Sequence, residues 1–245
     1  LEAGKLSPQE LDERVRAVFR NSARGVAEVL HFQSRPHLMK RYVEVNERIR
    51  EYILGSQTSK QAFVLACPHV GNFDLAGRVL GLMGLRALIL AEPTPRVDYN
   101  YQNRLRRQTG LNIHPISLES LRIAADTLEG GGSVLTGVDW PVGEARYQPR
   151  FFGIPSRLTT SHVRLAVKAG APVTVVACHR KPDGKYTVVA SDPIPMEMGK
   201  SITDTILSNT ETILAIVEQY VRQNPEQWLL YYPVWNKEVA LKAMG

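Results

Sequence analysis

Residues 63–74 read Phe63-Val64-Leu65-Ala66-Cys67-Pro68-His69-Val70-Gly71-Asn72-Phe73-Asp74. The apolar run is short, and its length suits a strand buried on both faces, expected over 61–67. Proline then stops the ladder, and Gly71 marks a turn into a helix expected over 72–83. The same change of pattern recurs downstream: strand 86–91, helix 97–109, strand 111–115, helix 117–129. Gly130-Gly131-Gly132 ends that helix, and a strand at 133–138 follows. An irregular stretch rich in Pro, Gly and Arg fills 139–157. A helix at 158–169, strands at 172–178 and 186–190, and a long helix at 202–223 complete the order. Such alternation implies an α/β fold, a mixed, mostly parallel sheet covered by helices on both faces.

Toward the N-terminus, Ser7-Pro8-Gln9-Glu10 forms a capping box with proline at the first helical position. Leu11, Val15, Val18, Phe19, Val26 and Leu30 follow at helical spacing. A second amphipathic helix is expected from Pro36 to Gly55. The two make an N-terminal helical extension, 1–55, on a core at 61–236. No linker or internal repeat divides the chain, so residues 1–245 are expected to form one domain.

The chain has 245 residues, of which 44% are hydrophobic and 22% charged, which excludes global disorder. Two cysteines, Cys67 and Cys178, are too few for a disulfide framework or a four-thiolate metal site. No run of eighteen apolar residues and no signal peptide is present. The sequence starts at Leu1 without a methionine, which leaves room for an N-terminal anchor ahead of it. A net charge of +6 fits an anionic partner: a membrane surface, a phosphorylated substrate or nucleic acid. Between residues 140 and 185 eight basic residues face two acidic ones, whereas 186–245 carries four basic and seven acidic, so a positive site is expected mid-chain. Nucleic acid is disfavoured, because the basic residues neither alternate with aromatics along strands nor build a recognition helix.

In such sheets ligands bind beyond the C-terminal strand ends, which makes residues after strands the ones to weigh. His69 and Asp74 lie five apart. On a straight helix they would point about 140° from each other, so only a turn at Gly71 could fold Asp74 back to the imidazole. A carboxylate on one ring nitrogen fixes the tautomer and leaves the other free to take a proton from a substrate hydroxyl. A helix start near Asn72 would offer backbone N–H groups to a developing oxyanion. Spacing alone is weak: His114 and Glu119 share it, though without an intervening glycine. Asp139 also follows a strand, where a site residue and a helix cap are equal readings. Trp228 and Trp235 suit either core packing or a bilayer interface. The remaining histidines, 31, 37, 162 and 179, have no ligand spacing, so no metal is expected. A rival chemistry is a thiol-based thioester hydrolase with Cys67 as nucleophile beside His69, although Pro68 spoils their pairing.

The block His69-Val70-Gly71-Asn72-Phe73-Asp74 resembles the HX4D motif of the glycerolipid and lysophospholipid acyltransferase superfamily. In particular it resembles the bacterial branch of lipid A late (lauroyl or myristoyl) acyltransferases and phosphatidylinositol mannoside acyltransferases. Further blocks occur in the same order. Arg106 to Gly110 resembles an Arg-x-x-x-Gly segment; Phe151-Phe152-Gly153-Ile154-Pro155-Ser156-Arg157 resembles Phe-Phe-Gly-x-Pro; Ala169-Gly170-Ala171-Pro172-Val173 resembles a Gly-Ala-Pro-Val strand entry. Pro225-Glu226-Gln227-Trp228 with Trp235 resembles a Pro-Glu-Gln-Trp signature and its trailing aromatic. The resemblance covers about residues 61 to 236. Where lipid A enzymes carry His-Arg-Arg-Trp, this chain reads Tyr231-Tyr232-Pro233-Val234-Trp235, and the acceptor stays open.

The resemblance implies transfer of a fatty acyl group from acyl-CoA or acyl carrier protein to a hydroxyl of a membrane lipid or glycolipid, with no permanently bound cofactor. His69 would be the general base and Asp74 its orienting group. Arg106, with Arg107 adjacent, would bind an acidic headgroup or cofactor phosphate, since a guanidinium offers a charged bidentate fork. Arg150 and Arg157 are further phosphate candidates, and Asn72, Phe152 and Gly153 complete the expected substrate-binding set. A long apolar groove beside His69, lined from helix 72–84 and the Phe151 region, would hold the acyl chain, its length setting chain preference. The implied location is peripheral, at the cytoplasmic face of the inner membrane. The alternative is a non-catalytic membrane-surface protein.

Overall fold

The computed structural model describes residues 6–58, 62–92, 97–143 and 146–236. They form an α/β fold with a seven-stranded, mostly parallel sheet in the order β1-β9-β8-β2-β5-β3-β4. The strands are β1 (Val43–Val45), β2 (Phe63–Cys67), β3 (Leu88–Ala91), β4 (Asn112–Pro115), β5 (Ser133–Gly137), β8 (Val173–Arg180) and β9 (Tyr186–Ala190). β8 and β9 pair antiparallel, and every other pairing in this sheet is parallel. Position 61, where the sequence places the start of the first long strand, lies outside the described residues.

The central strands are buried on both faces, and their side chains alternate between two cores as a pleated strand requires. Val64 and Ala66 of β2 join Val134, Val173 and Val175 beneath α6 (Leu118–Glu129), α7 (Ser161–Ala169) and α8 (Ile202–Gln223). Phe63 and Leu65 point the other way, packing with Val176 and Cys178 against Leu75, Val79 and Leu80 of α4 (Phe73–Leu82). The chain therefore leaves β2 toward one face, through α4, and leaves β5 toward the other, where α7 lies. Two adjacent strands whose connections part to opposite faces open a crevice at their C-terminal ends.

The N-terminal capping box forms as the sequence predicts. Ser7 N–H donates to Glu10 at 2.8 Å and Glu10 N–H to Ser7 Oγ at 3.3 Å, starting α1 (Pro8–Phe32). The expected second helix over Pro36 to Gly55 is instead divided into α2 (Pro36–Met39), β1 and α3 (Glu47–Thr58). Two β-branched residues flank Glu44, and Asn46 accepts the Ile49 N–H at 3.0 Å as an N-cap, so a new helix starts there. β1 adds itself parallel to β9 as an edge strand of the sheet. Within the stretch expected to be irregular, β6 (Arg150–Phe151) and β7 (Ile154–Pro155) form a small hairpin. Its two-residue turn places both Phe152 and Gly153 at positive φ, 52° and 77°. The remaining helix, α5 (Val97–Arg107), lies between β3 and β4 in chain order.

Candidate active site

The site is set by strand register. Cys67 and Gly137 are paired at the ends of neighbouring parallel strands β2 and β5, and the Val138 N–H still donates to the Cys67 carbonyl. Two residues past each strand lie His69 and Asp139, which this register brings side by side. His69 Nδ1 and Asp139 Oδ1 are 2.7 Å apart, and the His69 backbone N–H donates to Asp139 Oδ2 at 2.9 Å. The Trp228 indole donates to the same oxygen at 2.8 Å. Asp139 is fully buried. Burial would push its carboxyl up, but the neighbouring imidazole and the hydrogen bonds from His69 and Trp228 outweigh that and hold it below the usual aspartate range. A carboxylate fixed on Nδ1 selects the tautomer and leaves Nε2 for substrate.

Asp74, expected to hold the imidazole, takes a different partner. Its Oδ1 accepts from Arg106 Nε of α5 at 2.5 Å, and its Oδ2 is buried without a hydrogen bond. Gly71 has another purpose as well. At φ 64° its Cα packs so close to β8 that a Cβ would stand 2.5 Å from the Cys178 carbonyl oxygen. Gly137 likewise leaves room for the imidazole, since a Cβ there would lie 3.2 Å from His69 Cε1.

The C-terminal Pro-Glu-Gln-Trp segment braces this loop. Gly71 N–H donates to the Gln227 carbonyl at 2.8 Å, and Leu229 N–H donates to the His69 carbonyl at 2.8 Å. The Gln227 side chain accepts from the Arg180 N–H at 2.6 Å and donates to the Arg180 carbonyl at 3.0 Å, tying the segment to β8. Trp228 and Trp235 pack against the core through Phe151.

His69, Asp74 and Arg106 line a cleft of about 640 Å³ whose walls include Val26, Trp140 and Tyr232. The same three residues line an inner pocket of about 140 Å³ between α4 and the sheet, walled by Leu80, Leu111, Ile113 and Val188. On the α4 side the apolar space is this small pocket and not a long groove, and Phe151 is buried in the other core and lines neither space.

Of the residues expected to bind substrate, the structure brings Arg106 and Asn72 to the cleft. Asn72 also supports the scaffold, because its Oδ1 caps the Leu75 N–H and its Nδ2 donates to Glu28 of α1 at 2.7 Å. Arg107 instead donates to the Ile113 carbonyl, Arg150 to that of Gly153, and Arg157 to that of Pro233. Phe152 lies against Arg222 and Trp235. None of Arg107, Arg150, Phe152, Gly153 and Arg157 lines the cleft or the inner pocket. The basic excess of 140–185 likewise lies elsewhere: the lining residues from that stretch of the cleft are Trp140, Pro141, Val142, Gly143, Thr159 and Ser161. Among the described residues, Arg106 of α5 is the arginine or lysine that lines the cleft.

His114 bonds Asn112 at 3.0 Å. Cys67 lines the inner pocket, and burial pushes its thiol up to about 12, away from the thiolate that a nucleophile needs. Among the described residues no group of three or more His, Cys, Asp or Glu is placed to hold a metal ion, and no helix is long and apolar enough to cross a membrane.

Asp139 is the residue that sequence spacing undervalues. Its signal was its place two residues after a strand; its pairing with His69 needs the adjacency of β2 and β5, which the chain order does not reveal.

A doubly covered α/β sheet with a carboxylate-held imidazole at the mouth of an apolar pocket is the frame of the site. The chain belongs to the bacterial lipid A biosynthesis acyltransferase family, which it matches over residues 4–237. No curated protein matches it. Membership makes it an acyltransferase of lipid biosynthesis in the general sense.

Proposed function

We propose that the protein transfers a fatty acyl group from an acyl thioester, on coenzyme A or acyl carrier protein, to a hydroxyl of a membrane lipid or glycolipid. The observation that carries this reading is the His69–Asp139 pair at the junction of a wide cleft and a narrow apolar pocket. The inner pocket, whose volume suits about six carbons, takes part of the acyl chain, and the acceptor enters from the cleft. His69 Nε2 removes the proton of the acceptor hydroxyl as its oxygen attacks the thioester carbonyl carbon. The tetrahedral intermediate expels the thiolate, the C–S bond breaks, and the imidazolium returns its proton to sulfur. Asp139 stays ionised and stabilises that imidazolium throughout. The start of α4 offers N–H groups to the oxyanion.

Asp74 acts one step away. It holds the Arg106 guanidinium at the cleft wall, where the cation meets a phosphate or another acidic group of the headgroup or donor. Association with the membrane is peripheral, from the side on which that lipid is made. The test is to incubate the protein with a panel of acyl thioesters and a bacterial lipid extract and to read by mass spectrometry which lipid gains an acyl group. An acylated lipid formed by the wild type and not by His69→Ala supports the reading; thioester loss with no lipid product contradicts it.

A further inference from the structure

Helix α1 has two unlike sides. The inner one is tied to the site: Glu28 accepts from Asn72 at 2.7 Å and from the Tyr186 hydroxyl at 2.8 Å, and Asn21 donates to the Glu226 carbonyl at 2.9 Å. The outer one carries Leu11, Val15, Phe19, Val26 and Leu30, a single stripe at helical spacing, and each is 44–62% exposed. Tyr231 stacks on Phe19, and Tyr231 and Tyr232 extend the apolar surface to the rim of the cleft, which Val26 also lines. A contiguous exposed apolar face of this kind marks an interaction surface.

The charge around it selects the partner. Residues 10–42, which hold the stripe, contain seven Arg and Lys and four acidic residues, a net +3; Glu10, Asp12 and Glu13 sit at the start of the helix, and the Glu28 carboxylate is turned inward. Arg16 is paired with Asp12 at the surface, while Arg14, Arg20, Arg35, Lys40 and Arg41 are exposed. A second copy seated on this face would set these cations against each other, whereas an anionic bilayer offers hydrocarbon to the stripe and phosphate to the cations.

We propose that the outer face of α1, continued by Tyr231 and Tyr232, is the surface by which the protein docks on an anionic lipid bilayer. The stripe enters the boundary between headgroups and acyl chains, the tyrosines lie at headgroup level, and the cleft opens onto lipid hydroxyls. The inner contacts of Glu28 and Asn21 then carry that orientation straight to the His69 loop. The purpose of docking rests on the acyltransferase reading; docking itself does not.

The experiment is vesicle flotation with phosphatidylcholine alone and with phosphatidylcholine containing about 30% phosphatidylglycerol, an anionic content that gives a strong surface potential. Wild type is expected to bind the anionic vesicles at least about tenfold better, with binding weakened by salt. Val15→Asp/Leu30→Asp should lower that binding about tenfold, with unchanged circular dichroism and unchanged acyl transfer to detergent-dispersed lipid. Val15→Trp/Leu30→Trp should strengthen it, again with unchanged circular dichroism. The proposal is overturned if the aspartate variant binds like wild type, if the tryptophan variant gains nothing, or if wild type sediments as a dimer that the aspartates dissociate. Absence of acyl transfer in detergent would remove the enzymatic reading and leave the flotation result standing.

Discussion

Each polar side chain at the site has a partner that decides its role. His69 is held by Asp139, Asp139 is also held by Trp228, and Asp74 is matched to Arg106. The His-Asp spacing in sequence led to a loop where an imidazole does meet a carboxylate, but the carboxylate on His69 is Asp139 and not Asp74. Two carboxylates enter the same crevice, one on α4 and one after β5, and only the strand register tells them apart. Gly71 shows how tightly the loop is packed. Gly71→Ala adds a methyl group at φ 64° directly against the Cys178 carbonyl, so a melting temperature lower by about 5 °C or more is expected by differential scanning calorimetry. Gly143→Ala, where a Cβ would have no neighbour within 4 Å, should change it little by comparison. Equal melting temperatures for the two variants would show that the close approach at Gly71 carries no strain.

The elements with strong periodicity were readable from the sequence because burial on both faces leaves an unbroken apolar run, as in Phe63 to Cys67. β1 was not, since three residues inside a basic segment carry no pattern distinguishable from an amphipathic helix; its pairing with β9, about 140 residues away, makes it a strand. α7 holds a group that neither spacing nor composition explains. His162 is fully buried, both ring nitrogens lack a hydrogen-bond partner, and burial lowers its pKa to about 4. The unfolded chain binds a proton near pH 6.5 while the folded chain refuses it until about pH 4. Stability is therefore whole above pH 6.5 and falls as pH drops toward 4, by about 3 kcal/mol from this group. His162→Phe should flatten that part of the pH dependence in urea denaturation at about pH 7, 5.5 and 4.5. Parallel slopes for variant and wild type would contradict it.

Across the whole molecule, the fold places three surfaces in line: the outer face of α1, the cleft, and the inner pocket under α4. The sheet supplies this order, because the opposite departures of the chain from β2 and β5 open the crevice while α1 packs on α4 at its edge. The Pro-Glu-Gln-Trp segment, more than 150 residues after His69, closes the arrangement by bonding both the His69 loop and Asp139. The central claim, that Asp139 is the carboxylate that makes His69 a base, is tested most directly by steady-state kinetics of acyl transfer in Asp139→Asn and Asp74→Asn side by side. The account predicts that Asp139→Asn lowers kcat by about 10³-fold or more with KM little changed, and that Asp74→Asn acts mainly on KM by loosening Arg106. An Asp139→Asn enzyme turning over at nearly the wild-type rate, beside an inactive Asp74→Asn, would contradict it.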